Sequence, residues 1–233
     1  MKILAVDTTS YGCSVAVIES GEVLSEYHLQ ERETHSKHLL KLIDEVLETA
    51  GLDIQMVDGF AVAKGPGSFT GLRIGISTLK GLAAALEKPL AGVSSLKALA
   101  CGVPCCIERI CSVIDARKNE IYASFFNYTD NTLTRITNDF SITPEKLAGD
   151  IDSPTVFIGS GVETYKNTFI ELIEDKAIFL ADNYNFINAV NVGKLAAPDL
   201  NDNKIDNIHT LLPNYIRKSD AEINLKKTIR KNE

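Results

Sequence analysis

The sequence predicts an α/β protein with two similar lobes, each a mixed sheet flanked by helices. Predicted elements of the first hundred residues follow the order βββαβαβα, in which strands and helices alternate after an opening meander. The opening then repeats, because the apolar strand ending in Asp115 is followed by a turn and a second strand, as is the strand ending in Asp7. A chain of 233 residues has room for two small domains, which we place at residues 1–103 and 104–233.

The first lobe is predicted from apolar periodicity and from residues that begin and end helices. Thr34 or Ser36 can cap the first helix, and Gly51 can end it. The glycine-rich stretch at 65–75 leads into a second helix. The predicted strands lie at residues 3–7, 14–19, 23–29, 57–63 and 89–93, and a third helix begins at Ser94 or Ser95.

The second lobe is predicted by the same reasoning. We expect a five-residue turn after Asp115, matching the turn after Asp7. The predicted strands lie at residues 113–115, 121–126, 133–136 and 156–158, and the predicted helices near 144–147, 165–173 and 186–195.

Composition is that of an ordinary globular protein and excludes several classes. Of the residues, 45% are hydrophobic and 24% are charged, which argues against a fibre or a disordered chain. Only four apolar residues lie between Lys2 and Asp7, so we expect no signal peptide, and no apolar run approaches the roughly 18 residues of a membrane span. Five cysteines without a Cys-x-x-Cys pair argue against a disulfide framework and a zinc ribbon. We therefore expect a cytoplasmic protein without a membrane anchor.

The net charge argues against a protein that binds nucleic acid without a partner. The formal net charge is −7, whereas binding to RNA or DNA depends on neutralising phosphates. A basic cluster closes the chain, where we expect a solvated tail, with an auxiliary RNA or partner contact as the alternative. It contains Lys226, Lys227, Arg230 and Lys231.

The stretch at 65–75 resembles a phosphate-binding loop without its working side chains. Its glycines and Pro66 predict a tight turn at the start of a helix, where backbone N–H groups and the helix dipole favour an anion. A Walker A loop needs a lysine and a hydroxyl residue after its last glycine, but Leu72 and Arg73 follow Gly71 here. No lysine is therefore placed to reach a β- or γ-phosphate.

Glycines continue into the helix that follows. Gly71, Gly75 and Thr78 recur at three- and four-residue spacing, which gives one helix side a flat face that another backbone can approach closely. Glycine costs about 1 kcal/mol in a helix interior, so an interaction must offset it. The face is either buried inside one domain or packed on a partner protein.

The two first turns of the lobes differ in their fitness for phosphate. Asp7 is followed by Thr8 and Thr9, and such a strand-end carboxylate can hold a hydrated Mg²⁺ while small residues admit phosphates. Gly67 and Ser68 complete this weak, vestigial phosphate site. The turn after Asp115 has no glycine and carries long side chains, which obstruct a phosphate. Both aspartates are alternatively explained as caps of hairpin turns.

Four segments together resemble the TsaB (YeaZ) family of partner proteins for threonylcarbamoyladenosine synthesis on tRNA. The resemblance covers almost the whole chain and implies the fold shared by actin, heat-shock chaperones and sugar kinases. The segments are residues 4–9, 65–75, 114–122 and 213–217.

The resemblance implies an accessory subunit and not an enzyme. It implies pairing with a related catalytic subunit, TsaD, and with the ATPase TsaE, in a complex that transfers a threonylcarbamoyl group from its adenylate to the adenosine beside the anticodon of tRNA. This chain would reach tRNA only through that complex. TsaD-type proteins carry a His-x-Glu-x-His metal motif where this chain has Ser95 and Leu99, so both histidine positions are lost. We expect no metal and no required cofactor, and leave open an ATP or ADP at the complex interface.

The resemblance also implies a heterodimer interface on the first two long helices. The same surface could form a homodimer when the partner is missing. His35 and His38 are spaced to chelate, but no third ligand is evident, so we assign them to the interface. The candidate interface residues are His35, His38, Leu39, Leu42, Ile43, Val46, Gly71, Arg73, Gly75 and Thr78.

Two other classes of function stay open. The Asp7 turn and the glycine loop would suit a stand-alone ATPase or small-molecule kinase of the actin-like fold, but the second turn is obstructed. A peptidase of the glycoprotease type would need a nucleophile such as Ser68, which lacks the second glycine of a nucleophile elbow and has no assignable histidine.

Overall fold

The computed structural model describes residues 1–30, 35–105 and 109–217, without the side chains of residues 30 and 35–37. The side chains of His35 and Ser36, the residues Thr34 and Cys106 and the basic tail therefore lie outside the described residues, and with them the predicted cap of the first helix. The other candidate site residues fall within the described ranges.

The first half of the chain forms a five-stranded sheet with three helices. Its strands run in the order β3-β2-β1-β4-β5, antiparallel between the first three and parallel from β1 onward. The strands are β1 (Lys2–Asp7), β2 (Gly12–Glu19), β3 (Glu22–Gln30), β4 (Gly59–Ala63) and β5 (Leu90–Val93), and the helices are α1 (His35–Thr49), α2 (Phe69–Ala85) and α3 (Ser95–Cys101).

Between residues 109 and 217 the chain forms a six-stranded sheet with three more helices. Five strands follow the order β11-β10-β6-β7-β8, and the short β9 pairs with β7. The strands are β6 (Ile110–Arg117), β7 (Glu120–Thr129), β8 (Thr132–Arg135), β9 (Phe140–Ile142), β10 (Thr155–Ile158) and β11 (Ala177–Phe179), and the helices are α4 (Pro144–Gly149), α5 (Ser160–Ile173) and α6 (Ala189–Asn201).

The two sheets repeat one topology, which confirms the predicted fold of two similar lobes. In each, a three-stranded antiparallel meander continues into two parallel strands, with β6, β7, β8, β10 and β11 matching β1, β2, β3, β4 and β5. Parallel neighbours require crossover connections, which the helices supply. The repeat brings the ends of β1 and β6, with Asp7 and Asp115, to equivalent places.

Alternation along the strands divides the apolar residues into three clusters, which lie between successive layers of helices and sheets. Leu4 and Val6 of β1 pack under α1 and α2, whereas Ile3 and Ala5 face the centre of the molecule. The central layer contains α3 and α6 between the two sheets, and a third cluster packs α4 and α5 on the outer face of the second sheet. The five layers are therefore helix, sheet, helix, sheet, helix.

Helix α6 comes from the second half of the chain but packs on the first sheet. A Cβ at Gly193 would lie 2.8 Å from Ile18 Cδ1 and 3.2 Å from Ala5 Cβ, so a glycine permits this close contact. The division at residue 103 stays a prediction. In space, α6 joins the two halves through the central core.

The second hairpin differs from its prediction. We expected a five-residue turn after Asp115, but β6 continues to Arg117 and the chain reverses through Lys118 and Asn119. Both residues have positive φ, 57° each, as tight two-residue hairpins require. The strands β9 and β11 were not predicted, because three residues are too few to show a period.

Candidate functional site

The first turn and the glycine loop are packed against each other. The backbone N–H of Ser68 donates to the carbonyl oxygen of Thr9 at 2.7 Å. A Cβ at Gly67 would lie 2.5 Å from the same oxygen. The two loops predicted to bind phosphate therefore contact each other directly, at the place where a phosphate would have to enter between them.

The glycine face of α2 is covered by the same turn. The hydroxyl of Thr8 donates to the carbonyl oxygen of Gly71 at 2.7 Å, within the buried interior. A Cβ at Gly71 would lie 1.9 Å from the Thr8 carbonyl oxygen, and one at Gly75 would lie 2.4 Å from Thr8 Oγ1. In this chain the face formed by Gly71 and Gly75 packs on the chain's own first turn, which is the burial within one domain that the sequence left open. The assignment of these glycines to a partner interface stays a prediction.

Asp7 is buried beneath this contact and is 1% exposed. Its Oδ1 accepts hydrogen bonds from the Thr9 hydroxyl at 2.7 Å and from the Thr9 backbone N–H at 3.2 Å. Burial raises the pKa of Asp7 to about 7, and the two hydrogen bonds from Thr9 lower it in part. The carboxyl group stabilises its own turn, as the alternative explanation from sequence expects.

Ser68 caps α2. Its Oγ accepts from the backbone N–H of Gly71 at 3.3 Å, as the side chain of an N-cap residue does. This contact gives Ser68 a structural role at the start of the helix.

A cavity of about 330 Å³ lies beside the closed loops, between the two lobes. Thr9, Gly67 and Ser68 reach this cavity, whereas Asp7 and Thr8 do not line it. Its walls are formed by Thr9, Ser10, Tyr11, Gly67, Ser68, Phe69 and Thr70 from the first half, and by Ile114, Asp115, Ala116, Arg117, Tyr122, Ser160, Tyr215 and Arg217 from the rest of the chain.

The carboxylate of Asp115 is engaged on its own side of the cavity. Oδ1 accepts from the backbone N–H of Arg117 at 2.7 Å, and the Thr164 hydroxyl lies 3.5 Å from Oδ2. The Ser160 hydroxyl in turn accepts from the backbone N–H of Asp115 at 3.2 Å. Asp115 thus caps its hairpin, again as the alternative explanation expects.

A C-terminal strap, residues 204–217, links both lobes at the edge of the cavity. Asn214 donates through its backbone to the carbonyl oxygen of Lys64 at 2.6 Å, and Arg217 Nη1 donates to Glu120 Oε2 at 2.9 Å. The ring of Tyr215 stacks on Phe69, with centroids 4.8 Å apart. Sequence reasoning gave these residues no role, although the exposed aromatic and basic residues at 213–217 were a usable signal.

Arg73 contacts the strap and a surface groove. Its Nε donates to Tyr215 Oη at 3.0 Å, and its guanidinium lies 4.0 Å from the centroid of the Phe69 ring. The groove runs along the outer surface between α1 and α2, where Leu40 is 56% exposed. It is lined by Leu39, Leu40, Arg73, Ile74, Ser77 and Thr78.

Most apolar interface candidates on α1 are instead core residues. Leu39, Leu42, Ile43 and Val46 are at most 7% exposed and pack on the outer face of the first sheet. The helix packs this stripe on its own sheet, and the assignment of these four residues to a partner interface stays a prediction. The groove between the helices offers Leu40 instead, next to the predicted Arg73 and Thr78; His38 is half-buried nearby on the same helix.

The described ranges contain neither a cluster of metal ligands nor a helix that could span a membrane. No group of three or more His, Cys, Asp or Glu side chains there could hold a metal ion. None of the helices in these ranges combines the length and the apolar character needed to cross a bilayer.

Comparison with known proteins gives a consistent picture at the level of sequence. A family model for TsaD, described as tRNA N6-adenosine threonylcarbamoyltransferase, matches residues 22–225. The tRNA threonylcarbamoyladenosine biosynthesis protein TsaB of Bacillus subtilis is 28% identical, over 95% of this chain and 96% of its own length. TsaB of Haemophilus influenzae is 33% identical, over 71% of this chain and 74% of its own length.

Solved structures agree. YeaZ from Pseudomonas aeruginosa superposes with a TM-score of 0.80 at 28% identity, over 92% of this chain and 99% of its own. Another structure from that species, with the same TM-score, is described as an uncharacterized protein similar to peptidase YeaZ. A hexokinase from Thermus thermophilus, at 11% identity and a TM-score of 0.50, covers 87% of this chain and all of its own, and shares the fold alone.

The contact between Thr8 and Gly71 can be tested within one helix. Gly71→Ala should destabilise the protein by roughly 1–3 kcal/mol or more, because the added Cβ overlaps a backbone oxygen that cannot move freely. Gly81→Ala should stabilise it by roughly 0.5–1 kcal/mol, since Gly81 lies in α2 with open space around it. Urea unfolding measures both, and equal effects would contradict the contact.

The buried Asp7 predicts a dependence of stability on pH. The pKa is raised in the folded state, so the folded protein binds more protons between about pH 4 and 7, and the free energy of unfolding falls as pH rises through this window. Asp7→Asn keeps the accepting oxygen without the charge and should stabilise the protein at pH 8 by roughly 2–4 kcal/mol. Asp44→Asn, on the exposed face of α1, is the control. Identical pH profiles for the natural protein and Asp7→Asn would refute the argument.

Proposed function

We propose that this chain, which belongs to the TsaB (YeaZ) family of tRNA threonylcarbamoyladenosine biosynthesis proteins, is a catalytically silent subunit that binds and activates a TsaD-type transferase. Its role in this tRNA modification follows from the family. The proposal concerns how it contributes. We also propose a TsaE-type ATPase as the third component, no cofactor required by this chain, and a cytoplasmic location.

The closed loops are the observation that carries catalytic silence. An actin-like ATPase or kinase must admit phosphates and their metal next to the strand-end carboxylate. Here the Asp7 carboxylate is buried and bound to Thr9, and the carbonyl oxygen of Thr9 accepts the Ser68 N–H. Opening this site would break the Thr8–Gly71 contact, which fixes α2 to the first sheet.

The same residues argue against a peptidase. Ser68 Oγ is used to cap α2 and lies on a loop packed against Thr9. Acyl transfer by serine needs a base within hydrogen-bonding reach, and histidine is the usual one. Of the described histidines, none lines the cavity that Ser68 reaches.

The groove between α1 and α2 is the docking surface we propose for the TsaD-type subunit. The family model for TsaD itself matches this chain, so the partner is expected to carry equivalent helices that can pack in a pseudo-symmetric pair. The groove combines an exposed Leu40 with half-buried Ile74 and the cation of Arg73. The same pairing would allow a homodimer in the absence of the partner.

Reconstitution tests the proposed function. Threonylcarbamoyl transfer from its adenylate to tRNA should be strong with the TsaD-type and TsaE-type proteins of the same organism plus this chain. It should be weak without this chain and undetectable with this chain alone. Transfer or Mg²⁺-dependent ATP hydrolysis by the isolated chain would show that it is an enzyme.

The docking surface is tested by a charge in the groove. Leu40→Glu should weaken binding of the TsaD-type subunit at least about tenfold, because an exposed apolar contact is replaced by a charge that loses its hydration on binding. Leu24→Glu, an equally drastic change at an exposed site on β3, should leave binding unchanged. Calorimetric titration measures both, and the same variant tests the homodimer by sedimentation. Full binding by Leu40→Glu would place the interface elsewhere.

A further inference from the structure

The cavity between the lobes has features that its closed loops do not explain. Its volume of about 330 Å³ is within the usual range for small-molecule sites, about 300–1,000 Å³. Loop closure removes the Asp7 carboxylate from it but leaves Thr9, Ser10 and Ser160 on its walls. A polar space of this size therefore persists beside a site that has lost its metal-binding position.

Three aromatic side chains are exposed around this cavity. Tyr11 is 68% exposed, Tyr215 41% and Phe69 38%. Phe69 and Tyr215 already stack on each other, and Arg73 fixes both by its hydrogen bond to Tyr215 Oη and its contact with the Phe69 ring. Exposed aromatic rings that are held rigid are well suited to stack on a planar ligand such as a nucleobase.

Charge in the cavity is balanced and favours a ligand with little charge. Arg117 has an exposed side chain that forms no ion pair with any described residue. Arg217 is paired with Glu120 at 2.9 Å. The carboxylate of Asp115 also lines the cavity and opposes a polyphosphate, so one phosphate beside Arg117 fits better than a chain of three.

We propose that this cavity binds a single nucleotide unit, with its base stacked on the aromatic side chains and its phosphate at Arg117, without a metal ion. This mode differs from a metal-held triphosphate at a strand-end carboxylate, which the contact between Ser68 and Thr9 blocks. The unit is either a free nucleotide or an unpaired nucleotide of an RNA loop, since both present the same base and phosphate. The proposal concerns binding alone and is independent of the proposed docking groove.

Titration of the full chain tests the proposal, with adenosine monophosphate and an anticodon stem-loop RNA as separate probes. The chain contains no tryptophan, so its fluorescence comes from seven tyrosines, of which Tyr11 and Tyr215 line the cavity and should be quenched on binding. Binding should persist in EDTA. Tyr11→Ala should weaken it at least about fivefold by removing a stacking surface, and Arg117→Gln should weaken it by removing the phosphate contact. Tyr27→Ala, an exposed tyrosine on β3, is the matched control.

The arms of the experiment separate the sources and the outcomes. Binding of the stem-loop but not of the mononucleotide identifies an RNA site, and the reverse identifies a free nucleotide. The proposal would be overturned if neither probe bound, or if Tyr11→Ala and Arg117→Gln bound the probe as tightly as the natural protein does. Loss of binding in EDTA, or competition by inorganic phosphate at equal affinity, would also overturn it. Binding of the TsaD-type subunit by the same variants should be normal, which distinguishes this failure from failure of the proposed function.

Discussion

The close approach of α2 to the first turn is the contact on which the rest of the first lobe depends. Because Gly71 and Gly75 have no side chains, the helix lies directly against Thr8. The hydrogen bond from the Thr8 hydroxyl to the Gly71 carbonyl oxygen fixes the distance between the helix and the turn. The contact buries Asp7, which raises the pKa of its carboxyl group, and it brings the glycine loop onto Thr9. It also offsets the unfavourable propensity of glycine inside a helix.

The closed first turn is a difference between the two halves of this duplicated fold. Both sheets have the same strand order, yet the first lobe closes its turn with glycines and hydroxyls, whereas the second closes it with a two-residue hairpin at Lys118 and Asn119. Neither turn keeps a cradle for a metal-bound triphosphate. In this chain the duplicated scaffold therefore mainly supports the two closed turns.

Rigidity of this support has a clear source in the central layer and the strap. Helix α6 crosses from the second half to the first sheet, and the strap joins Lys64, Arg73 and Glu120 across both lobes. Arg73 belongs both to the strap contacts and to the groove between α1 and α2, so the surface available to a partner is attached to the edge of the cavity. If the groove docks a partner as proposed, such a preorganised surface lowers the entropic cost of binding.

The fold class, the order of the long elements, the duplicated meander and the family were all predictable from the sequence, because they depend on local periodicity, on caps such as Ser94 and on short sequence motifs. It could not assign the faces of α1 and α2. An apolar stripe such as Leu39 to Val46 reads the same whether it packs on its own sheet or on a partner, and the glycine face of α2 left both options open. The three-dimensional packing settles which face is buried, since it places Thr8, distant in sequence, within hydrogen-bonding distance of Gly71. It also brings Tyr11, Phe69 and Tyr215 to one cavity. Side-chain periodicity indicates which residues will be buried. It does not indicate which other residues bury them, because those contacts come from parts of the chain that are distant in sequence.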